Sequence, residues 1–497
     1  MTMESTIHWT ALGVFVFFFA LVTVIGFLAS RWQRGAGHKG AHLDEWGLGG
    51  RNFGAWITWF LVGGDFYTAY TVIAVPALVY AVGAYGFFAL PYTILVYPVV
   101  FTIMPKLWRE AAKAGHVTAA DVVFGRYGSR PLELAVAATG IVATMPYIAL
   151  QLVGMEVVIK ALGLTGELPL AAAFVILALY TYAAGLRAPA LIAFVKDIMI
   201  YIVVIVAVVV VPAQLGGYGA VFGAARDAFA AKGGATGITL KPAQMLPFAT
   251  LALGSALAAF MYPHTLTGIF AAKSEATIRK NAIFLPAYTV LLGLIALLGF
   301  MAYGAHIAVK NNNDVVPALF NTLFPSWFAG FAFSAIAIGA LVPAAVMSIG
   351  AANLFTRNFW KPYAKDVTPA REEKVAKLVS LVVKVGALLC ILLMPTKFAL
   401  DLQLLGGVWI LQTFPAVVFG LFWKRLQAPA LLAGWLAGIV CGTWTAFADG
   451  VKPVHTLHLG ADAYTVYTGL LALAVNVVVA LVVQALLPAP KPALARA

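Results

Sequence analysis

Gly63-Gly64-Asp65-Phe66-Tyr67-Thr68 interrupts the apolar run 54–80, and Met261-Tyr262-Pro263-His264-Thr265 interrupts the run 246–270. Glycine gives the backbone freedom that other residues lack, and proline removes a helical hydrogen bond, so both stretches read as breaks in membrane-length helices. Apolar runs of spanning length fall at 8–30, 54–80, 84–107, 132–161, 168–185, 188–212, 246–270, 282–309, 326–355, 375–395, 400–422, 429–448 and 464–487. The two broken runs are the second and the seventh of these thirteen. A five-helix unit repeated once in inverted topology would begin with just these two. Broken helices at matching places in two halves mark a binding site at the membrane midplane. There, freed carbonyls suit cations and helix N-termini suit anions. The plainer alternative is that Gly and Pro merely allow close helix packing.

Composition fixes the class. The chain of 497 residues is 62% hydrophobic and 10% charged, a balance that belongs to a polytopic membrane protein. The formal net charge of +13 does not point to nucleic acid, because the basic residues sit in short loops between apolar runs. With the N-terminus outside, 23 Lys and Arg residues fall in inside loops and the C-terminal tail, and seven fall outside (Lys160, Arg226, Lys232, Lys241, Lys310, Lys397 and Lys452). That asymmetry predicts N-terminus outside and C-terminus cytoplasmic. Cys390 and Cys441 suggest neither a metal site nor a disulfide framework. The first run, Trp9 to Ser30, reads as a retained helix rather than a signal peptide. The loop at about 215–245 is rich in Gly and Ala and has no catalytic constellation.

Lys196 and Asp197 stand side by side in the otherwise uncharged run from Ala188 to Pro212. At 1.5 Å per helical residue, Lys196 lies roughly 12 Å into the run. Charges at such depth are costly, and they usually face a cavity, an ion path or a partner. This pair is the strongest pointer to function outside the two breaks.

Several motifs resemble the sodium:solute symporter family, most closely its monocarboxylate permease branch. They are Gly50-Arg51-Asn52-Phe53-Gly54 leading to Gly64-Asp65; Thr118-Ala119-Ala120-Asp121 with Arg126-Tyr127-Gly128-Ser129-Arg130; and Leu179-Tyr180-Thr181-Tyr182-Ala183-Ala184-Gly185-Leu186-Arg187-Ala188, in which Ala184 replaces a family Gly. Further along come Tyr262-Pro263-His264 with Ala271-Ala272-Lys273-Ser274, and Gln412-Thr413-Phe414-Pro415 with Gly420-Leu421-Phe422-Trp423-Lys424-Arg425. The stretch Arg187-Ala188-Pro189-Ala190 to Val195-Lys196-Asp197 points to the monocarboxylate branch. The resemblance covers nearly the whole chain. It implies an all-α polytopic membrane protein with about 13 transmembrane helices and a LeuT-like 5+5 inverted repeat whose halves each begin with a broken helix. The chain then forms one transporter domain, 1–497. Residues 8–30 are an extra N-terminal helix, 54–212 the first repeat, 246–422 the second repeat and 429–487 two C-terminal helices.

In the family, sodium lies between backbone carbonyls of the first core helix and Ala-x-x-Ser-Ser/Thr of the eighth. The carbonyls here would be near Gly64 and Tyr67, and the matching eighth-helix stretch is Ala345-Val346-Met347-Ser348-Ile349. Ile349 stands in place of the second hydroxyl, and a hydrocarbon gives a hard cation no ligand. The sodium site is therefore incomplete, and no metal is expected. Lys196 is a substitute: its ammonium would donate to the Gly64 and Tyr67 carbonyls and to Ser348, with Asp65 or Asp197 as counter-charge. Two other readings stay open, a static pairing with Asp65 and a side chain that snorkels to the interface.

The resemblance also implies a substrate pocket on core helices one, three, six and ten. Its polar and aromatic candidates are Thr68, Thr71, Tyr147, Gln151, Tyr262, His264, Trp409 and Gln412. No Arg lies at membrane depth to clamp a carboxylate. The expected function is symport of short monocarboxylates such as lactate, pyruvate, acetate or propionate, coupled to protons through Lys196. Sodium coupling is the alternative, and a membrane receptor or a membrane-embedded enzyme is the rival from another class. Neither His-Glu-x-x-His nor paired Asp-rich motifs occur. No cofactor and no nucleic acid are expected. The expected partners are the small substrate and the lipid bilayer, with the protein a monomer or loose oligomer in a bacterial inner membrane.

Overall fold

A computed structural model describes residues 7–29, 42–68, 70–165, 168–393 and 399–488. The basic residues Arg31, Arg34, Lys39, Lys397, Lys491 and Arg496, counted for orientation, lie outside the described residues. The chain is a bundle of helices: α1 (Trp9–Leu28), the broken second span ending in α2 (Tyr70–Val82), α3 (Ala89–Thr102), α4 (Arg130–Ala161), α5 (Leu168–Ala184), α6 (Arg187–Gln214) and α7 (Pro242–Ala259). The second half continues with α8 (Pro263–Ala271), α9 (Pro286–Gly304), α10 (Ser326–Leu354), α11 (Pro369–Leu393), α12 (Ala399–Ile410), α13 (Ala428–Ala448) and α14 (Thr468–Leu486).

Among the described residues, ten helices are long and apolar enough to cross a membrane, against the thirteen expected. The difference has visible causes. The second span is split, so its second half α2 counts only as a short apolar helix, and α5 is also short, at 17 residues.

The core helix α10 is buried along almost its whole length from Phe328, and it packs on α1, α4, α6 and α8. The second broken span leans on it through α8. The turn before α6 shows why the Ala184-Gly185 motif takes that form. Gly185 adopts φ +58°, and any Cβ there would drive into the Trp46 carbonyl, which accepts a hydrogen bond from Leu186 N at 2.9 Å.

Both breaks are real interruptions of the backbone. In the second span, helical residues 55–66 end at Tyr67, whose φ −106° and ψ 83° leave the helix. Thr68 and Thr71 then tie the restart. Tyr70 N donates to Thr68 Oγ1 at 3.0 Å, and Thr71 Oγ1 accepts from Thr68 N while donating to Thr68 O, both at 3.0 Å. At the second break, α7 ends at Ala259 and Tyr262 is extended, with ψ 137°. Pro263 forces that conformation on the preceding residue and then starts α8 from its first turn.

On the face bearing the loop 115–130, the Thr118 to Asp121 motif is a helix cap. Asp121 N donates to Thr118 Oγ1 at 3.0 Å, and Thr118 N donates to Asp121 Oδ2 at 3.2 Å. Asn358 joins this cap to α4, donating to Asp121 Oδ1 at 2.8 Å and Glu133 Oε1 at 2.7 Å.

Two elements were not anticipated. The Gly- and Ala-rich loop contains a helix, Tyr218–Ala231, seated by the stripe Val221, Ala225 and Phe229. A β-hairpin, β1 (Val454–Leu459) with β2 (Asp462–Tyr467), joins α13 to α14. Its last residue, Tyr467, is buried and donates to Leu404 O at 2.7 Å.

A candidate coupling and substrate site

Where the second span unwinds, the carbonyls of Gly64 and Tyr67 turn away from the helix axis and toward α6. Lys196 Nζ donates to Gly64 O at 2.5 Å and to Tyr67 O at 3.1 Å. It also forms an ion pair with Asp197 Oδ1 at 2.9 Å. An ammonium has three protons to place, and here it has three oxygens around it. Both charged side chains are buried, with 0% of each exposed. Lys196 therefore does not snorkel to the interface.

The glycines of the break make this approach possible. A Cβ on Gly64 would collide with the Asp197 carboxylate and lie 3.0 Å from Lys196 Nζ. A Cβ on Gly63 would run into the ring of Tyr288. Tyr288, on α9, donates its hydroxyl to Asp197 Oδ2 at 2.6 Å, and its ring lies 4.7 Å from that of Tyr67 and 5.8 Å from that of Tyr201.

Two of the expected contacts are not made. Ser348 does not reach the ammonium; its hydroxyl donates to Ala345 O in its own helix at 2.8 Å. Both residues are buried on α10, and Ile349 packs in an apolar cluster with Leu61, Ala190 and Val346. Asp65 is not the counter-charge of Lys196, because Asp197 holds that place. Asp65 instead faces the second break, where Thr265 Oγ1 donates to Asp65 Oδ2 at 3.1 Å and His264 Nε2 lies 3.4 Å from the same oxygen. The two interrupted helices thus meet directly.

The substrate candidates divide into three groups. Tyr147, Tyr262 and His264 form one aromatic cluster with ring centroids 5.2–5.3 Å apart. Tyr262 donates to Gln403 O at 3.0 Å, and Gln151 Nε2 donates to Tyr147 O at 3.4 Å. Thr68 and Thr71 are spent on the backbone of the break. The other two face the C-terminal helices. Trp409 Nε1 donates to Thr443 Oγ1 at 3.1 Å, and Gln412 bonds to Val408 O, Gly469 O and Asn476. On the side of the hairpin, a cavity of about 320 Å³ is lined by Leu78, Tyr85, Phe88, Leu251, Asp401 and Leu404, among others. On the face of the Thr118 cap, a cavity lined by Thr118, Pro263 and Thr413 holds only about 20 Å³.

Sequence reasoning missed Tyr288 and Tyr70. Tyr288 belongs to a core helix that the family pattern does not assign to the site. Tyr70 lies one turn beyond the break, with a buried hydroxyl. A tyrosine at membrane depth beside a helix break carries a polar group that needs a partner, and that was the available signal.

Two facing helix breaks and an intramembrane ion pair on unwound carbonyls define a secondary transporter. The sodium:solute symporter family profile matches residues 46–438. A monocarboxylate transport permease protein of Rhizobium johnstonii is 70% identical over 99% of each chain. An uncharacterized symporter of Bacillus subtilis, YodF, is 33% identical over 96% of this chain and 93% of its own. Among solved structures, a Na+-coupled sialic acid symporter in a substrate-bound, outward-open state superposes with TM-score 0.78 at 15% identity, covering 98% of this chain and 99% of the other. The fold is therefore the LeuT-like inverted repeat. The chain belongs to the sodium:solute symporter family. It is an integral membrane solute symporter, not an enzyme.

Proposed function

We propose that this symporter imports short-chain monocarboxylates such as lactate, pyruvate, acetate and propionate by alternating access, driven by the proton gradient. The observation that carries the coupling ion is the Lys196 ammonium on the Gly64 and Tyr67 carbonyls, oxygens that would otherwise attract a free cation. A tethered amine that sheds and regains its proton takes the place of sodium binding and release. Ile349, an isoleucine at the position of a family hydroxyl, argues in the same direction. The substrate class is supported by the name of the Rhizobium relative and by the donors gathered at the second break. First-turn N–H groups of α8 have no partner within the helix and attract anions. The bacterial relatives support a bacterial inner membrane as its home, and the distribution of Lys and Arg supports an outside N-terminus.

The test is uptake of labelled lactate into proteoliposomes under an imposed pH gradient or an imposed sodium gradient. Accumulation that follows the pH gradient without sodium is the expected result. Accumulation that follows sodium and ignores pH would falsify proton coupling.

A further inference from the structure

Asp65 is a buried carboxylate whose expected partner is taken. Lys196 is engaged by Gly64, Tyr67 and Asp197, leaving Asp65 with one hydroxyl and one imidazole edge on Oδ2. Its other oxygen, Oδ1, has no hydrogen-bond partner among the described residues. Two further buried atoms at the same junction are also unpartnered, His264 Nδ1 and the Tyr70 hydroxyl. Tyr147, which packs on His264, lies within electrostatic reach of both Asp65 and Tyr70. A carboxylate oxygen left bare in a membrane interior is costly, and it is satisfied only by a donor.

The short monocarboxylates differ in whether they bring one. Acetate and propionate have no donor beyond their charged end. Pyruvate carries a second acceptor next to its carboxylate, which would set oxygen against oxygen at Asp65. A 2-hydroxy acid carries an O–H on the neighbouring carbon. A carboxylate held at the first turn of α8 would bring that hydroxyl toward Asp65, the side chain that contacts His264 and Thr265 of the same turn. We propose that Asp65 is a specificity-determining residue that accepts a hydrogen bond from the substrate's 2-hydroxyl, making 2-hydroxy monocarboxylates the preferred class. This rests on the monocarboxylate reading above. Sites built to bond a substrate hydroxyl reject analogues that lack it far more strongly than apolar pockets reject a lost methylene.

The experiment is exchange of labelled lactate in proteoliposomes at equal pH on both sides, with unlabelled lactate, 3-hydroxypropionate, propionate and pyruvate as competitors. Wild-type protein should be half-inhibited by lactate at a concentration at least about tenfold below that needed of the other three. In Asp65→Asn the amide offers an N–H as well as an oxygen, so pyruvate should gain on lactate by about tenfold or more. Equal competition by all four acids in wild type overturns the inference and needs no variant to do so. So does an unchanged lactate-to-pyruvate ratio in a folded Asp65→Asn. Exchange without hydroxyl preference defeats this inference alone, whereas failure to exchange any monocarboxylate defeats the transport reading and this inference together.

Discussion

Replacing Lys196 by Met keeps the length of the side chain and deletes its charge. The consequence can be worked from the contacts. Gly64 O and Tyr67 O each lose a donor, and Asp197 keeps only the Tyr288 hydroxyl while staying fully buried. Breaking a buried ion pair from one side costs about 3–5 kcal/mol, because a charge is left uncompensated. That is a large fraction of the roughly 5–15 kcal/mol by which proteins are stable. Lys196→Met should therefore lower the thermal unfolding temperature in detergent markedly, and Asp197→Asn should do the same from the other side. The double variant removes both charges and should recover most of the loss, since an apolar or neutral replacement of a buried pair is often close to neutral. The expected coupling in this double-mutant cycle is about 3 kcal/mol, well beyond the scatter of about 0.3–0.5 kcal/mol seen for independent sites. Unfolding measured on all four proteins supplies the cycle, and uptake under a pH gradient on the same preparations supplies the functional arm. Additive destabilisation would refute the pairing argument. Gradient-driven accumulation that survives in Lys196→Met would refute the coupling role, whatever the stability data say.

Gly64→Ala places a methyl group against the Asp197 carboxylate, so it should abolish uptake and cost about 1–3 kcal/mol of stability. Gly13→Ala, where nothing lies within 4 Å of the added carbon, is the control and should leave both unchanged. Tyr288→Phe removes one hydroxyl and leaves Asp197 Oδ2 without its 2.6 Å bond. A hydrogen bond to a charged group is worth about 1.5–3 kcal/mol, so melting should fall by that amount and pH-driven uptake should weaken. Unaltered melting would show that the Tyr288 bond carries no weight.

The breaks were legible in the sequence because Gly-Gly-Asp and Tyr-Pro-His leave local marks that no neighbour can override. Lys196 and its two carbonyl acceptors were legible for a different reason: a buried charge has few acceptors to choose from, and the unwound segment supplies them. Helix rotation was not legible. Gln412 and Trp409 lie on the expected helix, yet they face α13 and α14, because the side facing the C-terminal pair depends on packing that a uniformly apolar helix does not encode. The choice between Asp65 and Asp197 as counter-charge of Lys196 was left open for the same reason, and Asp197 takes that place. Asp197 is adjacent to Lys196 in the chain, and adjacent helical residues ordinarily point apart. Here both side chains converge on the Gly64 backbone and pair there. The helix Tyr218–Ala231 was hidden by its Gly and Ala content, although Val221, Ala225 and Phe229 follow helical spacing. Of the hairpin, only the end of β2 with the buried Tyr467 falls in the apolar run 464–487 that became α14.

The cation that bridges the unwound second span to α6 is part of the polypeptide. A free ion at the same oxygens would be present or absent according to its concentration on each side of the membrane. The Lys196 side chain is held there by four methylenes and a helix, so in the proposed coupling only its proton comes and goes. The clasp between the two elements thus keeps its bolt tethered to the chain.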